Sequence, residues 1–173
     1  GQRPARPAAQ LRQPVLRLTA AGPEQMRALG ARLGAAIGAA GAEPALVIGL
    51  TGELGAGKTT LVAGLLASLG HAGPVRSPTY TLIEPYRLAG RDLYHCDLYR
   101  LRDPAELDDL GLRDLAVERS VLLVEWPERA GDRLGKPDLL LQIEYAPPGR
   151  AIEVDSASEA GRQVLAAMRL DPA

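Results

Sequence analysis

Residues 46–70 read LVIGLTGELGAGKTTLVAGLLASLG. A short apolar run ending at Leu50 meets glycines at 52, 55 and 57, then Lys58, Thr59 and Thr60, then an Ala/Leu-rich stretch. An apolar run bounded by glycine suits a strand buried on both faces of a parallel sheet. The stretch after Lys58 suits a helix. Gly52–Thr59 fits G-x-x-x-x-G-K-[ST], in the strand–turn–helix setting that gives the pattern its meaning. Glycines let the backbone bend round a large anion with its N–H groups inward. The helix start adds its positive end. Lys58 supplies a compact, mobile charge for terminal phosphates. Thr59 offers a hydroxyl to Mg²⁺, and Thr60 a further bond toward the α-phosphate. The candidate nucleotide contacts are therefore Glu53, Leu54, Gly55, Ala56, Gly57, Lys58, Thr59 and Thr60. A bland alternative is a glycine-rich turn with an exposed lysine. Against it, Lys58 and Lys136 are the only lysines among 20 basic residues.

Outward from this loop, strands are expected at Val15–Thr19, Ala45–Leu50, Thr79–Arg87, Asp92–Asp97, Ser120–Glu125, Asp138–Tyr145 and Ala151–Asp155. Helices are expected at Pro23–Ala40, Thr59–Leu69 and Ala157–Leu170, with one or two short ones in Asp103–Leu115. Leu88–Arg91, with Gly90, reads as a hairpin turn. Strands alternate with helices through the middle, which predicts an α/β fold: a three-layer phosphate-loop sandwich, its sheet mostly parallel with antiparallel edge strands. Residues 1–13 read as a flexible, proline-broken tail and 14–173 as one domain.

Composition narrows the function classes. The 173 residues are 46% hydrophobic but only 3% aromatic, with no Phe, so the core must rest on aliphatic side chains. Net charge is −1, which gives no bulk electrostatic reason to bind nucleic acid or membrane. One cysteine and two histidines exclude a disulfide framework and a Cys/His zinc cluster. No run reaches membrane-spanning length, and the first residues lack the apolar core of a secretory signal. The expected location is the cytoplasm.

A phosphate-loop enzyme also needs a carboxylate at the end of a neighbouring buried strand. Glu125, ending Val121–Val124, fits, either as the metal carboxylate or as a water-positioning base. Trp126 is either a core anchor or a border of the nucleotide or of a partner surface. Between the two strands, Pro78-Thr79-Tyr80-Thr81 places hydroxyls on a stiff turn that could sense a γ-phosphate. If residues 94–97 are extended, His95 and Asp97 share a face. Asp97 is then a metal-associated or water-orienting carboxylate, while His95 alone reads as a hydrogen-bonded structural residue. The candidate catalytic residues are Lys58, Asp97 and Glu125, and the candidate metal ligands Thr59 and Glu125. Guanine-reading patterns are weak: Asp108–Gly111 follows no buried strand, and Gly135-Lys-Pro-Asp138 lacks the needed Asn. Adenine is favoured.

GELGAGKTTLV, SPTYTL, LYHCDLYRL and VLLVEWPER, in this order, resemble the bacterial TsaE (formerly YjeE) family of tRNA threonylcarbamoyladenosine biosynthesis. The resemblance covers about Leu46–Arg129, with a weaker echo in ALGARLGAAI. It implies a slow ATPase that uses ATP and Mg²⁺ and acts with the TsaB–TsaD complex. That complex modifies N6 of an adenosine next to the tRNA anticodon, so tRNA would be met only through the partners. By motif, the resemblance gives Lys58 and Thr59 to phosphate and Mg²⁺, gives Glu125 to Mg²⁺, and marks Asp97 and Trp126 as functionally important. Cys96 stands where the family commonly has another apolar residue. Two other readings are a small-molecule or nucleoside kinase and a nucleotide-binding module with negligible turnover.

Overall fold

A computed structural model describes residues 15–41, 45–78 and 80–170. In chain order it forms β1 (Leu16–Ala20), α1 (Pro23–Ala40), β2 (Leu46–Thr51), α2 (Lys58–Ser68), β3 (Ile83–Leu88), β4 (Arg91–Asp97), α3 (Glu106–Asp109), α4 (Leu112–Leu115), β5 (Val121–Glu125), a 3-10 segment (Pro127–Arg133), β6 (Leu139–Ala146), β7 (Gly149–Ser156) and α5 (Glu159–Leu170). The expected tail, residues 1–13, lies outside the described residues.

The seven strands form one sheet in the order β1-β7-β6-β2-β5-β4-β3. Its centre, β6-β2-β5-β4, is parallel. Antiparallel pairing takes both edges: β3 on β4, and β7 on β6 followed by β1 on β7. Sequence and position agree here. β5 (VLLVE) is buried along its whole length, as a central parallel strand must be. β6 alternates, with Leu139, Leu141 and Ile143 buried and Gln142 and Glu144 exposed, because one of its faces is uncovered.

The central strands feed two cores. Leu93, Val121 and Leu123 join the layer built with α1, α2 and α5. Cys96, Leu122 and Val124 point the other way, into a smaller core with Leu107, Leu112 and Ala130 from α3, α4 and the 3-10 segment. Successive strand side chains alternate between faces. His95, Asp97 and Glu125 therefore fall on the α2 face, the one reached by the start of α2.

Helices α1 and α2 touch backbone to backbone. A Cβ on Gly30 would lie 1.9 Å from the Leu61 carbonyl oxygen, and one on Gly64 would lie 2.1 Å from that of Arg27. Only glycine allows this approach, and it brings the first turn of α1 against the phosphate loop.

One strand starts later than expected. Residues 80–82 form a turn, with the Leu82 N–H donating to Pro78 O at 3.1 Å and Leu82 at φ 61°, so β3 begins at Ile83 rather than Thr79. The hairpin turn is the two residues Ala89 and Gly90, at φ 51° and 73°. Such left-handed pairs match the twist of the strands they join.

Candidate functional site

The loop between β2 and α2 turns through three glycines in backbone regions that L side chains rarely adopt: Gly52 at φ 151°, Gly55 at 80° and Gly57 at 114°. Gly52 has a second constraint, since a Cβ there would sit 2.6 Å from the Ile143 carbonyl oxygen. The loop is tied at its base by the Ala56 N–H donating to Glu53 O at 3.0 Å. It is also held from outside by the β6–β7 hairpin. Tyr145 Oη donates to Leu54 O at 3.1 Å, and Arg150 Nε donates to Ala56 O at 3.1 Å. Arg150 lies over the Tyr145 ring at 4.1 Å. Both bonds are taken by loop carbonyls and use none of the loop amides.

Lys58, first residue of α2, is buried and folds back on the loop, its Nζ donating to Gly52 O at 2.5 Å and Glu53 O at 2.9 Å. Burial pulls its pKa below the ordinary 10.5, opposed by the carboxylates of Glu125, Asp97 and Glu128. The ammonium also lies 4.5 Å from the centre of the Trp126 ring, a cation–π contact. Trp126 is held at φ 57°, ψ 50°, a left-handed conformation costly for a bulky residue and doubly so before proline. Its N–H donates to Leu50 O at 3.2 Å, which helps fix that turn. Strain of this kind, of order 1–3 kcal/mol, persists where the surroundings impose it, often at sites. Here it lays the indole over the phosphate loop. Trp126 is half-buried, packs against the smaller core and also lines the hollow beside the loop. Behind it, the Arg129 guanidinium sits 5.1 Å from the Tyr99 ring and 5.3 Å from the Trp126 ring.

Glu125 ends β5 across from the loop and is also buried. Thr59 Oγ1 donates to its carboxylate, 2.9 Å from Oε2 and 3.1 Å from Oε1. His95 Nε2 lies 2.6 Å from the same Oε2. Asp97 is register partner of Glu125 across β4 and β5, so two carboxylates finish adjacent strands. Asp97 Oδ2 accepts from Ser77 Oγ, and Oδ1 accepts from the Tyr99 N–H at 3.0 Å. Sequence reasoning missed Ser77 as the residue that fixes Asp97, although it begins the SPTYTL motif. Tyr145 and Arg150 were missed too, because no local pattern links a late hairpin to a loop some 90 residues earlier. Thr79, in the expected sensing turn, lies outside the described residues; Tyr80 beside it is 91% exposed.

Among the hollows along the loop, two meet at Gly55, Gly57 and Thr60. One, of about 220 Å³, is bounded by Lys58, Thr59, Ser77, Asp97, Glu125 and Trp126. The other, of about 310 Å³, lies across Gly55, Gly57 and Thr60, against Gly22, Pro23, Met26 and Arg150. A hydroxyl and a carboxylate are hard oxygen donors that suit Mg²⁺, which keeps waters and takes phosphate oxygens for its other positions. Among the described residues, no cluster of three or more His, Cys, Asp or Glu could hold a metal unaided. Cys96 is inert, its thiol pushed by burial up to about 12. The guanine-like residues are used elsewhere: Asp138 Oδ2 accepts from the Val47 N–H at 2.7 Å, at the strand ends opposite the loop, and Asp108 pairs with Arg133 at 3.3 Å.

A parallel-centred α/β sheet with a glycine loop, a lysine and a threonine at one helix start, and an acid ending the adjacent strand defines a protein of the phosphate-loop class. Residues 20–152 match the family model described as threonylcarbamoyl adenosine biosynthesis protein TsaE. Similar proteins include the tRNA threonylcarbamoyladenosine biosynthesis protein TsaE of Haemophilus influenzae, 46% identical over 72% of this chain and 79% of the relative. That of Streptomyces coelicolor is 40% identical over 79% of this chain and 90% of the relative. The crystal structure of Bacillus subtilis YdiB superposes with a TM-score of 0.69 at 26% identity, covering 93% of this chain and 97% of that one. The chain belongs to the TsaE family. Among the described residues no helix is long and apolar enough to cross a membrane.

Proposed function

We propose that this chain binds ATP with Mg²⁺, hydrolyses it slowly, and acts in the cytoplasm as a nucleotide-driven switch on the TsaB–TsaD complex during tRNA threonylcarbamoyladenosine formation. The observation that carries the reading is the convergence of Lys58, Thr59 and Glu125 on one hollow beside the glycine loop. The loop amides and the start of α2 receive the phosphates. Lys58 leaves the Gly52 and Glu53 carbonyls for the terminal phosphates, which offer its ammonium full negative charge. Thr59 and Glu125 would hold the metal, which would supply positive charge to the phosphates. Asp97, fixed by Ser77 and the Tyr99 N–H, orients the attacking water from the neighbouring strand end. The second hollow takes the adenine, with Met26 and the first turn of α1 on one side and Arg150 on the other.

In this reading, partners sense the nucleotide state through exposed side chains beside the loop. Leu54 is 66% exposed and Tyr80 91% exposed, on segments that flank the phosphate hollow. The test is calorimetric titration of Mg·ATP into wild type and Lys58→Ala, followed by phosphate-release assays with TsaB and TsaD present and absent. Expected are binding that Lys58→Ala abolishes, slow release alone, and ATP-dependent retention of the partners. Label transferred from the γ-phosphate to a metabolite would favour a kinase. Binding with background turnover under all conditions would favour a binding module.

A further inference from the structure

The Glu125 carboxylate is gripped from behind as well as from the loop. His95 stands in the middle of β4, opposite Leu123 in register, and its ring reaches diagonally to residue 125 on the adjacent strand. The side chain is fully buried, and Nε2 lies 2.6 Å from Glu125 Oε2. Its other nitrogen, Nδ1, has no hydrogen-bond partner. An ionised carboxylate only accepts, so the nitrogen that meets it must carry the proton. The opposite tautomer would bury an N–H with no acceptor and set two acceptors against each other. For an ionised Glu125 and a neutral His95, this geometry puts the proton on Nε2 and leaves Nδ1 bare in the core.

The carboxylate's lone pairs are then unequally used. Oε2 receives both His95 and Thr59, whereas Oε1 receives Thr59 alone, at 3.1 Å. Oε1 is the oxygen with capacity left over. We propose that His95 is a positioning residue for Glu125: from inside the core its Nε2–H holds Oε2 and thereby turns Oε1 toward the hollow, orienting the cation-binding carboxylate before nucleotide arrives. The role of the carboxylate rests on the reading given above; the hydrogen bond that sets its orientation does not. A histidine kept only to fill space predicts a different pattern, since leucine has similar bulk.

Two variants separate these cases: His95→Leu removes the donor, and His95→Gln can restore one near the Nε2 position. In the nucleotide-free protein, ¹⁵N–¹H correlation of the imidazole should show Nε2 protonated and Nδ1 bare, with the Nε2 signal shifted in Glu125→Ala. A protonated Nδ1, or a signal indifferent to Glu125→Ala, overturns the proposal, and this holds even if the protein proves not to hydrolyse ATP. The second measurement titrates Mg²⁺ at fixed ATP and follows Trp126 fluorescence. Loss of a partner that orients a metal ligand typically costs about 10–100-fold in metal affinity. His95→Leu should raise the Mg²⁺ needed for half-saturation by that factor and leave metal-free ATP binding unchanged, while His95→Gln stays within about threefold of wild type. In a Glu125→Ala background, His95→Leu should add nothing, because the two act as one unit. An unchanged Mg²⁺ requirement in His95→Leu, equal damage in both His95 variants, or a full additional effect without Glu125 overturns the proposal. Should His95→Leu fail to fold, the imidazole spectrum and the His95→Gln titration decide.

Discussion

Exchanging Glu125 for glutamine keeps the side chain's shape and removes its charge, and the structure says how the two effects divide. The carboxylate accepts from Thr59 and from His95. The amide has one oxygen and one NH₂, so one of these donors must meet an N–H. The Thr59 hydroxyl can rotate and accept; the His95 ring can accept only by moving its proton to an unpartnered nitrogen. The amide oxygen therefore faces His95 and its NH₂ faces Thr59, with every hydrogen bond kept. Converting charge-assisted bonds to neutral ones costs about 1 kcal/mol, partly offset because an amide is cheaper to bury than a charge. For a domain of this size that is a fall in Tm of about 2–4 °C or less. Hydrolysis loses a preorganised charge contact, a drop of at least about 100-fold, or roughly 2.7 kcal/mol of barrier. Differential scanning calorimetry gives the first quantity. Phosphate release at saturating Mg·ATP, with TsaB and TsaD present, gives the second. Turnover within about threefold of wild type would remove Glu125 from the chemistry. A fall in Tm beyond about 10 °C would instead make it a core residue whose exchange breaks the fold.

Gly64→Ala places a methyl 2.1 Å from the Arg27 carbonyl oxygen, well inside the 3.4 Å at which ordinary contact begins. The α1–α2 pair must part, and a stability loss of about 1–3 kcal/mol or more is expected by urea denaturation. ATP affinity should fall with it, because α1 and α2 both contribute to the lining of the hollow proposed for the base. Asp97→Asn should reduce phosphate release at least about tenfold while Mg·ATP affinity, measured by calorimetry, stays close to wild type. Lys58 makes a pH prediction. Its pKa in the nucleotide-free fold lies below 10.5, so between the two values the unfolded chain holds a proton that the folded chain has released. Its penalty is full at neutral pH and is relieved as pH rises toward 10.5. Wild type should therefore gain stability relative to Lys58→Met over that range, and parallel curves in urea midpoint against pH would refute the burial effect.

The glycine loop was legible because every part of it is local: spacing, strand before and helix after. The partner acid was nearly as legible, since a buried strand ending in a single acid has few uses. Alternation along β4 and β5 was enough to put His95 and Asp97 on one face, but not to show that this face is the one α2 starts against. That depends on strand order, which no short window encodes. Hence the sequence suggests a hydrogen-bonded structural role for His95 but does not name its partner, which is Glu125. Strand β3 starts later than composition predicts, since Thr81 and Leu82 suit a strand; the left-handed Leu82 belongs to the turn that follows Ser77, the partner of Asp97. The hairpin residues Tyr145 and Arg150 were beyond reach for a related reason, as their partners are backbone carbonyls and leave no side-chain pattern. Trp126 was ambiguous until its left-handed backbone laid the ring beside Lys58.

A crystal structure with Mg²⁺ and a non-hydrolysable ATP analogue tests the arrangement most directly. The expected image has the triphosphate in the curl of residues 52–60, Lys58 drawn off the Gly52 and Glu53 carbonyls onto the terminal phosphates, and the metal between Thr59 and Glu125 with His95 still on Oε2. A nucleotide bound elsewhere, or a Glu125 carboxylate rotated away from the metal, would contradict it.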